Sequence, residues 1–216
     1  MGVSLSTPTE RNRRSGRERR LKTRARLLEA AIEVISGRGL ELPVIDDFIA
    51  RAAVSRGSFY NHFRTKDELL TDISDQLRQD LVHSFEISKL SIKDPAERLA
   101  CGVRHIIHRS QADPRWALLL LHIRPKINKV EAAFRAGPRR DIANAVGSGR
   151  LPRQDVETAV DFVMGAAIEA VRAVISLPRP EDYAEQAATM ILRGLGLRAS
   201  EASATARRAM PDLSVS

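Results

Sequence analysis

The chain has a single cysteine among its 216 residues and few aromatic side chains, 4% in all. Cys101 alone cannot form an internal disulfide, so cysteine usage says nothing for secretion. A low aromatic share beside a hydrophobic content of 43% suits a helical protein built on alanine and leucine. Long apolar runs are missing too. The stretch WALLLLHI, from Trp116 to Ile123, falls far short of the roughly 18 residues that a membrane span requires. The basic N-terminus lacks the apolar core of a signal peptide. Together these absences point to a soluble, cytoplasmic protein with no membrane partner. Motifs that carry catalysis are equally sparse: there is no glycine-rich phosphate loop, no paired cysteines at metal-ligand spacing and no G-x-S-x-G elbow. No catalytic residue, metal site or cofactor is expected.

What is present is charge in one place. Residues 11–66 hold 14 of the 35 Lys and Arg against 6 Asp and Glu, an excess that equals the formal net charge of the whole chain, +8. The remainder is neutral. A basic patch confined to one segment is what binding to a polyanion needs.

The most patterned part of that segment runs from Val44 to Lys66, VIDDFIARAAVSRGSFYNHFRTK. Ile45, Phe48, Ile49 and Ala52 recur at spacings of three and four, which predicts a short supporting helix with one apolar face. Ala53 and Val54 follow as a turn. Ser55 stands where a second helix needs an N-cap, so that helix starts near Arg56. Gly57 in its first turn costs about 1 kcal/mol against alanine, and close approach of the backbone to another surface is the usual offset. Phe59 and Phe63 face inward. Arg56, Ser58, Tyr60, Asn61 and His62 are left to face outward or sideways, with side chains of the kinds that read base edges and phosphates. Thr65 to Glu68 is a capping box opening the next helix, and Lys66 sits at its positive end, where a phosphate is favoured. This is the pattern of a helix-turn-helix DNA reader.

The run AAVSRGSFYNHFRTKDELL keeps small-Val-Ser-x-Gly-x-aromatic-Tyr-x-His-Phe-x-x-Lys-x-x-Leu in unbroken register, and here the chain resembles the TetR family of bacterial transcriptional regulators. The close resemblance covers roughly residues 21 to 70; beyond it, only helix number and length match. Three positions depart from the family pattern. Pro43 and Val44 stand where threonines usually cap the second helix and touch the phosphate backbone. Ala53 replaces the usual turn glycine, so the turn either keeps a negative φ or accepts strain. Ile49 replaces a small buried alanine, which implies local repacking.

Taken in order, residues 1–16 lack periodicity and read as a disordered basic arm, either lying along phosphates or merely solvated. The DNA-binding domain spans 17–64, its first helix running from about Arg17 to Ser36 with Leu21, Ala25, Leu28, Ile32 and Ile35 inward. The fourth helix, Lys66 to about His83, carries Leu69, Leu70, Ile73, Leu77 and Leu81. It opens a helical ligand-binding and dimerisation domain, residues 65–198. Asp94 and Pro95 start a helix that stops near Asp113. Another follows from Pro114, with Leu118 to Leu121 apolar on all sides and hence buried. A helix from Asn128 to Val146 is open to a break at Gly137-Pro138. From Arg153 to Ser176, Val156, Val160, Val163, Ala167, Ala170 and Val174 form a coiled-coil-like seam, and from Glu181 to Leu195, Ala184, Ala188 and Ile191 form a second. Such surface exceeds what one small domain covers, so the seams are expected to pair with a second copy. The family resemblance implies the same dimer. Residues 199–216 read as a disordered tail. The fold expected is all-α, with about nine helices in a three-helix DNA-binding domain and a helical second domain.

An effector pocket in the second domain is implied by the resemblance rather than by spacing. Val103, Ile107, Trp116, Leu120, Phe134 and Phe162 would line it, with Arg104, His108, His122 or Arg124 for polar contacts. His105, His108 and His122 could be imagined as metal ligands, but without a fixed carboxylate or cysteine partner they read as surface or pocket residues. Cys101 reads as a small core residue rather than a redox sensor. The whole reads as a homodimeric repressor that binds a near-palindromic double-stranded DNA operator and is released by a small-molecule effector. Ser55, Arg56, Gly57, Ser58, Tyr60, Asn61, His62 and Lys66 would meet the DNA. A sequence-indifferent DNA-coating protein, or an enzyme housed in the second domain, is the alternative.

Overall fold

A computed structural model of the protein describes residues 8–38, 43–89, 91–123 and 128–211. All its regular elements are α-helices: α1 (Pro8–Gly37), α2 (Ile45–Ala52), α3 (Arg56–Tyr60), α4 (Lys66–Lys89), α5 (Pro95–Ala112), α6 (Pro114–Ile123), α7 (Asn128–Gly147), α8 (Val156–Ser176), α9 (Tyr183–Gly194) and α10 (Ala199–Ala206). They divide into an N-terminal unit, Met1–Ile73, and a C-terminal unit, Ser74–Ser216. No helix among the described residues is long and apolar enough to cross a membrane.

The N-terminal unit is a three-helix domain closed by the start of α4. Phe48, Phe59 and Phe63 are fully buried, with Leu27, Ala31, Ile35, Leu69 and Ile73 around them. Phe48 and Phe59, on α2 and α3, and Phe63 just beyond take the positions the helical spacing marks as inward. Helix α1 buries Leu28 and Ile35 of its expected face, but Leu21 is 57% exposed and Ala25 is exposed, while Leu27, Ala30 and Ala31 are buried as well. It also begins earlier than Arg17, so residues 8–16 of the expected arm are helical. Arginine and glutamate are good helix formers, and extending an existing helix avoids the cost of nucleation. Residues 1–7 lie outside the described residues.

The C-terminal unit is built on α5, which packs against α6, α7, α8, α9 and α10. Asp94 caps it, accepting the Ala96 N–H at 2.9 Å with Pro95 at the helix start. Val103 and Ile107 of α5 meet Val160 and Val163 of α8, together with Ala184, Ala188 and Ile191 of α9, in one apolar core. The core of the single chain thus takes up most of the apolar side chains of the α8 and α9 seams. Val160, Val163, Ala167, Ala170, Ala184, Ala188 and Ile191 are all buried within their own chain, and Val156 and Val174 are half-buried against the same core. The apolar side of α8 turns inward, while Glu157, Thr158, Asp161 and Glu169 share the exposed side with Phe162 and Gly165.

The break left open in α7 does not occur, and two further expectations fail in whole or in part. Helix α7 continues through Pro138, whose missing N–H costs about 3 kcal/mol in a helix interior. Buried Ile142 and Ala145, and the buried Asp141 that accepts from Arg98 Nε at 2.9 Å, hold the helix in place beyond the proline. In α6, Leu118 and Leu121 are only half-buried, since a single helix face meets the core. Residues 199–206 are not a tail but α10, the tenth helix, with Ala202, Thr205 and Ala206 buried against α9 and α5. The side chains of Leu77 and Leu81, and residues 212–216, lie outside the described set.

A chain of ion pairs fastens α10. Arg150 pairs with Asp94 at 3.1 Å and with Glu201, and Arg208 pairs with Glu97. Arg104 on α5 holds Glu185 of α9 at 2.7 Å and donates to the Arg208 carbonyl at 2.6 Å. Burial pushes the Asp94 and Glu185 carboxyls up, yet hydrogen bonds win: Arg150 and the Ala96 N–H hold Asp94 below its ordinary value, and the Glu185 backbone and Arg104 do the same for Glu185. Asp182 is held below its ordinary value by Arg207 and Gln186.

Candidate nucleic-acid interface

The turn between α2 and α3 sets the geometry of the reader. Ala53 adopts φ 50°, ψ 50°, the left-handed conformation that glycine occupies freely. The turn therefore accepts the strain. Its backbone closes through Ala53 N–H to Ala50 O at 3.2 Å and Val54 N–H to Ile49 O at 3.2 Å, and Arg26 of α1 donates to the Ala52 carbonyl at 2.6 Å. Upstream, Val44 cannot cap α2 with a hydroxyl. Asp47 instead accepts the Val44 N–H at 2.7 Å, so half of a capping box survives without the threonine.

Ser55 caps α3 as its position predicts, accepting the Ser58 N–H at 3.1 Å. Arg56, Gly57, Tyr60 and Asn61 are exposed, and Ser58 is half-buried. A Cβ added at Gly57 would meet only Ser55 Oγ, 4.0 Å away. No packing within the chain requires a glycine there. Arg56 forms an ion pair with Asp46 of α2, which holds its pKa above the ordinary value, first by hydrogen bond and then by charge.

Two of the expected contact residues are already engaged. Lys66 donates from Nζ to the Pro43 carbonyl at 3.0 Å, fixing the entry of α2 against that of α4. His62 turns inward, its Nδ1 buried and without a hydrogen-bond partner. Burial, then the charges of Arg20 and Arg24, lower its pKa, so its neutral form dominates at neutral pH. His62 thus stands as a neutral ring beside the arginines of α1. Arg24 lies 4.7 Å over the Phe63 ring and pairs with Asp72. Sequence reasoning missed Asp46; the only signal was an acidic residue inside a strongly basic segment.

The start of α4 follows its motif with one change. Thr65 Oγ1 accepts the Glu68 N–H at 3.1 Å, but the Glu68 carboxylate reaches the Arg64 N–H, at 2.6 Å, rather than that of the cap residue.

In the C-terminal unit the expected effector residues separate. Val103, Ile107, Trp116 and Leu120 are buried, Phe134 packs partly against the core, and His122 is buried with Nδ1 at 2.8 Å from the Leu118 carbonyl. Trp116 Nε1 is buried without a partner, and Arg109 lies 4.6 Å over its ring. Arg104 and His108 turn instead to Glu185, at 2.7 and 3.6 Å. Phe162 lies on the outer side of α8, 46% exposed, beside Gly194. Cys101 is buried and His105 is buried. Among the described residues, no group of three or more His, Cys, Asp or Glu is placed to hold a metal ion. Arg124 lies outside the described residues.

A helix-turn-helix with a polar, glycine-centred outer face, joined to a separate helical unit, defines the class: a DNA-binding transcriptional regulator. Residues 27–73 match the family of bacterial regulatory proteins, tetR family, and residues 94–208 match the tetracyclin repressor-like C-terminal domain. The chain belongs to the TetR family.

The chain is 27% identical over 186 residues to the HTH-type transcriptional regulator TtgR of Pseudomonas putida, covering 78% of this chain and 88% of that protein. A shorter match, 38% identical over 61 residues, joins it to the HTH-type transcriptional regulator YvdT of Bacillus subtilis, over 28% of this chain and 30% of that protein. Among solved structures, RolR in complex with resorcinol superposes with a TM-score of 0.64 at 25% identity, covering 91% of this chain and 99% of the other.

Proposed function

We propose that the protein is a homodimeric repressor that reads a near-palindromic operator and releases it when a small molecule binds the C-terminal unit. The observation that carries this reading is Gly57. Among the described residues a Cβ there would meet only Ser55 Oγ, 4.0 Å away, and Arg56, Tyr60 and Asn61 stand exposed around it. A glycine that costs helix stability and serves no internal packing leaves room for an approaching surface. Arg56 and Ser58 then meet base edges in the major groove, while Ser55, Tyr60, Asn61 and the free donors of Lys66 hold phosphates. Half-sites lie about one helical turn, roughly 34 Å, apart.

The dimer uses the outer stripe of α8 and α9. Phe162, Gly165 and Glu169 are exposed at helical spacing, and Met190 on α9 is 65% exposed. Gly194 admits the Phe162 ring, since a Cβ there would come within 2.6 Å of it. A small-molecule effector is supported by the buried, unpartnered indole N–H of Trp116, which calls for an acceptor, and by the resorcinol bound in RolR.

The deciding experiment titrates the purified full chain against DNA from just upstream of its own reading frame and against a scrambled duplex, across a salt series. A preference of about a thousandfold, with a steep salt slope on both duplexes, is the expected result. Equal, salt-sensitive binding to every duplex tested supports the coating-protein alternative, in which deleting residues 1–16 abolishes binding instead of trimming it.

A further inference from the structure

One acidic side chain stands exposed beside α3. Asp46, in the first turn of α2, has a side chain 66% exposed, and it pairs with Arg56, 63% exposed and the one basic residue of α3. A bare carboxylate in that place repels the phosphate backbone and weakens binding of every sequence alike. Its neighbour Asp47 is explained by folding, since it accepts the Val44 N–H and pairs with Arg38. Among the described residues, the hydrogen bond of Asp46 goes to Arg56.

We propose that Asp46 and Arg56 act as one unit that reads a single G·C pair in each half-site, the arginine on guanine and the aspartate on cytosine. The proposal rests on the operator-binding reading above. Across the major groove a G·C pair presents two acceptors, guanine N7 and O6, and then a donor, the cytosine N4 amino group. The Asp46–Arg56 pair presents the complement: donors, then an acceptor. Arg56 gives Nη2 to Asp46 Oδ1. Whichever Nη2 hydrogen is used, one two-donor edge of the guanidinium stays whole for a bidentate contact with guanine. Asp46 Oδ2 is then placed to accept from the amino group beside it. An A·T pair presents acceptor, donor, acceptor, which sets an arginine N–H against the adenine amino group and a carboxylate against thymine O4. A phosphate is the poorer partner for this arginine, because Asp46 beside it repels the same charge.

The test is selection of binding sites from a random duplex library with full-length wild type, Asp46→Asn, Asp46→Ala and Arg56→Ala, followed by titration on the selected site and on its G·C→A·T variant. Thermal melting of each variant checks folding, and the asparagine variant preserves side-chain volume. Wild type is expected to favour the G·C site by about tenfold or more. Both Asp46 variants and Arg56→Ala are expected to lose that preference, and the double variant to lose no more than either single one. Replacing the guanine by 7-deazaguanine should weaken wild type and leave Arg56→Ala unchanged. An Asp46 variant that keeps the preference while Arg56→Ala loses it overturns the pair as a reader. So does an Asp46 variant that binds all duplexes more tightly with preference unchanged, since Asp46 is then only a repelling charge. If wild type selects no motif, the operator reading itself falls and takes the pair with it; a wild-type motif with an indifferent Asp46 removes the pair alone.

Discussion

Two glycines separate the two units. Gly57 of α3 has open space where its side chain would be, whereas a Cβ on Gly194 of α9 would run into the Phe162 ring. Among the described residues the first meets only Ser55 Oγ, 4.0 Å away, and lies between exposed hydrogen-bonding side chains; the second is filled by the chain itself. The same contrast runs through the surrounding residues. In the N-terminal unit the hydrogen-bonding residues singled out by pattern are mostly exposed, while in the C-terminal unit the apolar residues singled out for a partner are already consumed by the core. An unexplained polar cluster is a better guide to an external partner than a hydrophobic seam, because the fold itself competes for every apolar side chain.

The sharpest way to break this comparison is a pair of substitutions on α8. Val160→Asp places an unpaired carboxylate in the core and is expected to destabilise the C-terminal unit by about 4 kcal/mol or more, read by calorimetry. Phe162→Arg, two residues on, should leave stability within about 1 kcal/mol yet give a monomer in sedimentation. If both behave alike, inner and outer stripes are not distinct. Gly57→Ala comes next: it should raise stability by up to about 1 kcal/mol while weakening specific DNA binding by about tenfold, a separation that anisotropy and melting together detect. Loss of stability there would mean that the glycine serves the fold.

Ala53→Gly should relieve the left-handed strain and stabilise the N-terminal unit by about 1 kcal/mol, read as a rise of a few degrees in its melting temperature. The smallest effect concerns pH. Asp94 and Glu185 titrate below their ordinary values of 3.8 and 4.5 in the folded chain. Their contribution is complete above those values and drains away as pH falls through the lower folded ones. The melting temperature of the C-terminal unit should therefore hold steady at neutral pH and fall below about pH 4. Arg150→Ala should shrink the acid-dependent part, because it removes the main partner of Asp94.

The N-terminal unit was legible because its signals are local. A serine cap, a threonine cap and aromatics four apart each act within one or two turns, and Ser55, Thr65, Phe59 and Phe63 all take the positions those rules give. The fate of Ala53 was not legible, since strain depends on whether neighbours such as Arg26 support the turn. Helix α10 was hidden for a different reason. Its buried residues are alanines and a threonine, which look like core only when another helix comes close, and its anchors are partners as distant in sequence as Arg150. The partner of the α8 seam was hidden in the same way, because an apolar helix face does not say whether α5 of the same chain or a second copy will cover it.

Helix α10 also fixes an order of events during synthesis. Ala202 and Ala206 complete the core around α5, so that core stays open until residue 206 has cleared the ribosome. The three-helix reader, whose own contacts close by Ile73, has its whole sequence in place well before then. The contacts of the DNA-reading head are thus local to the first third of the chain, while the core of the C-terminal unit waits for its last helix.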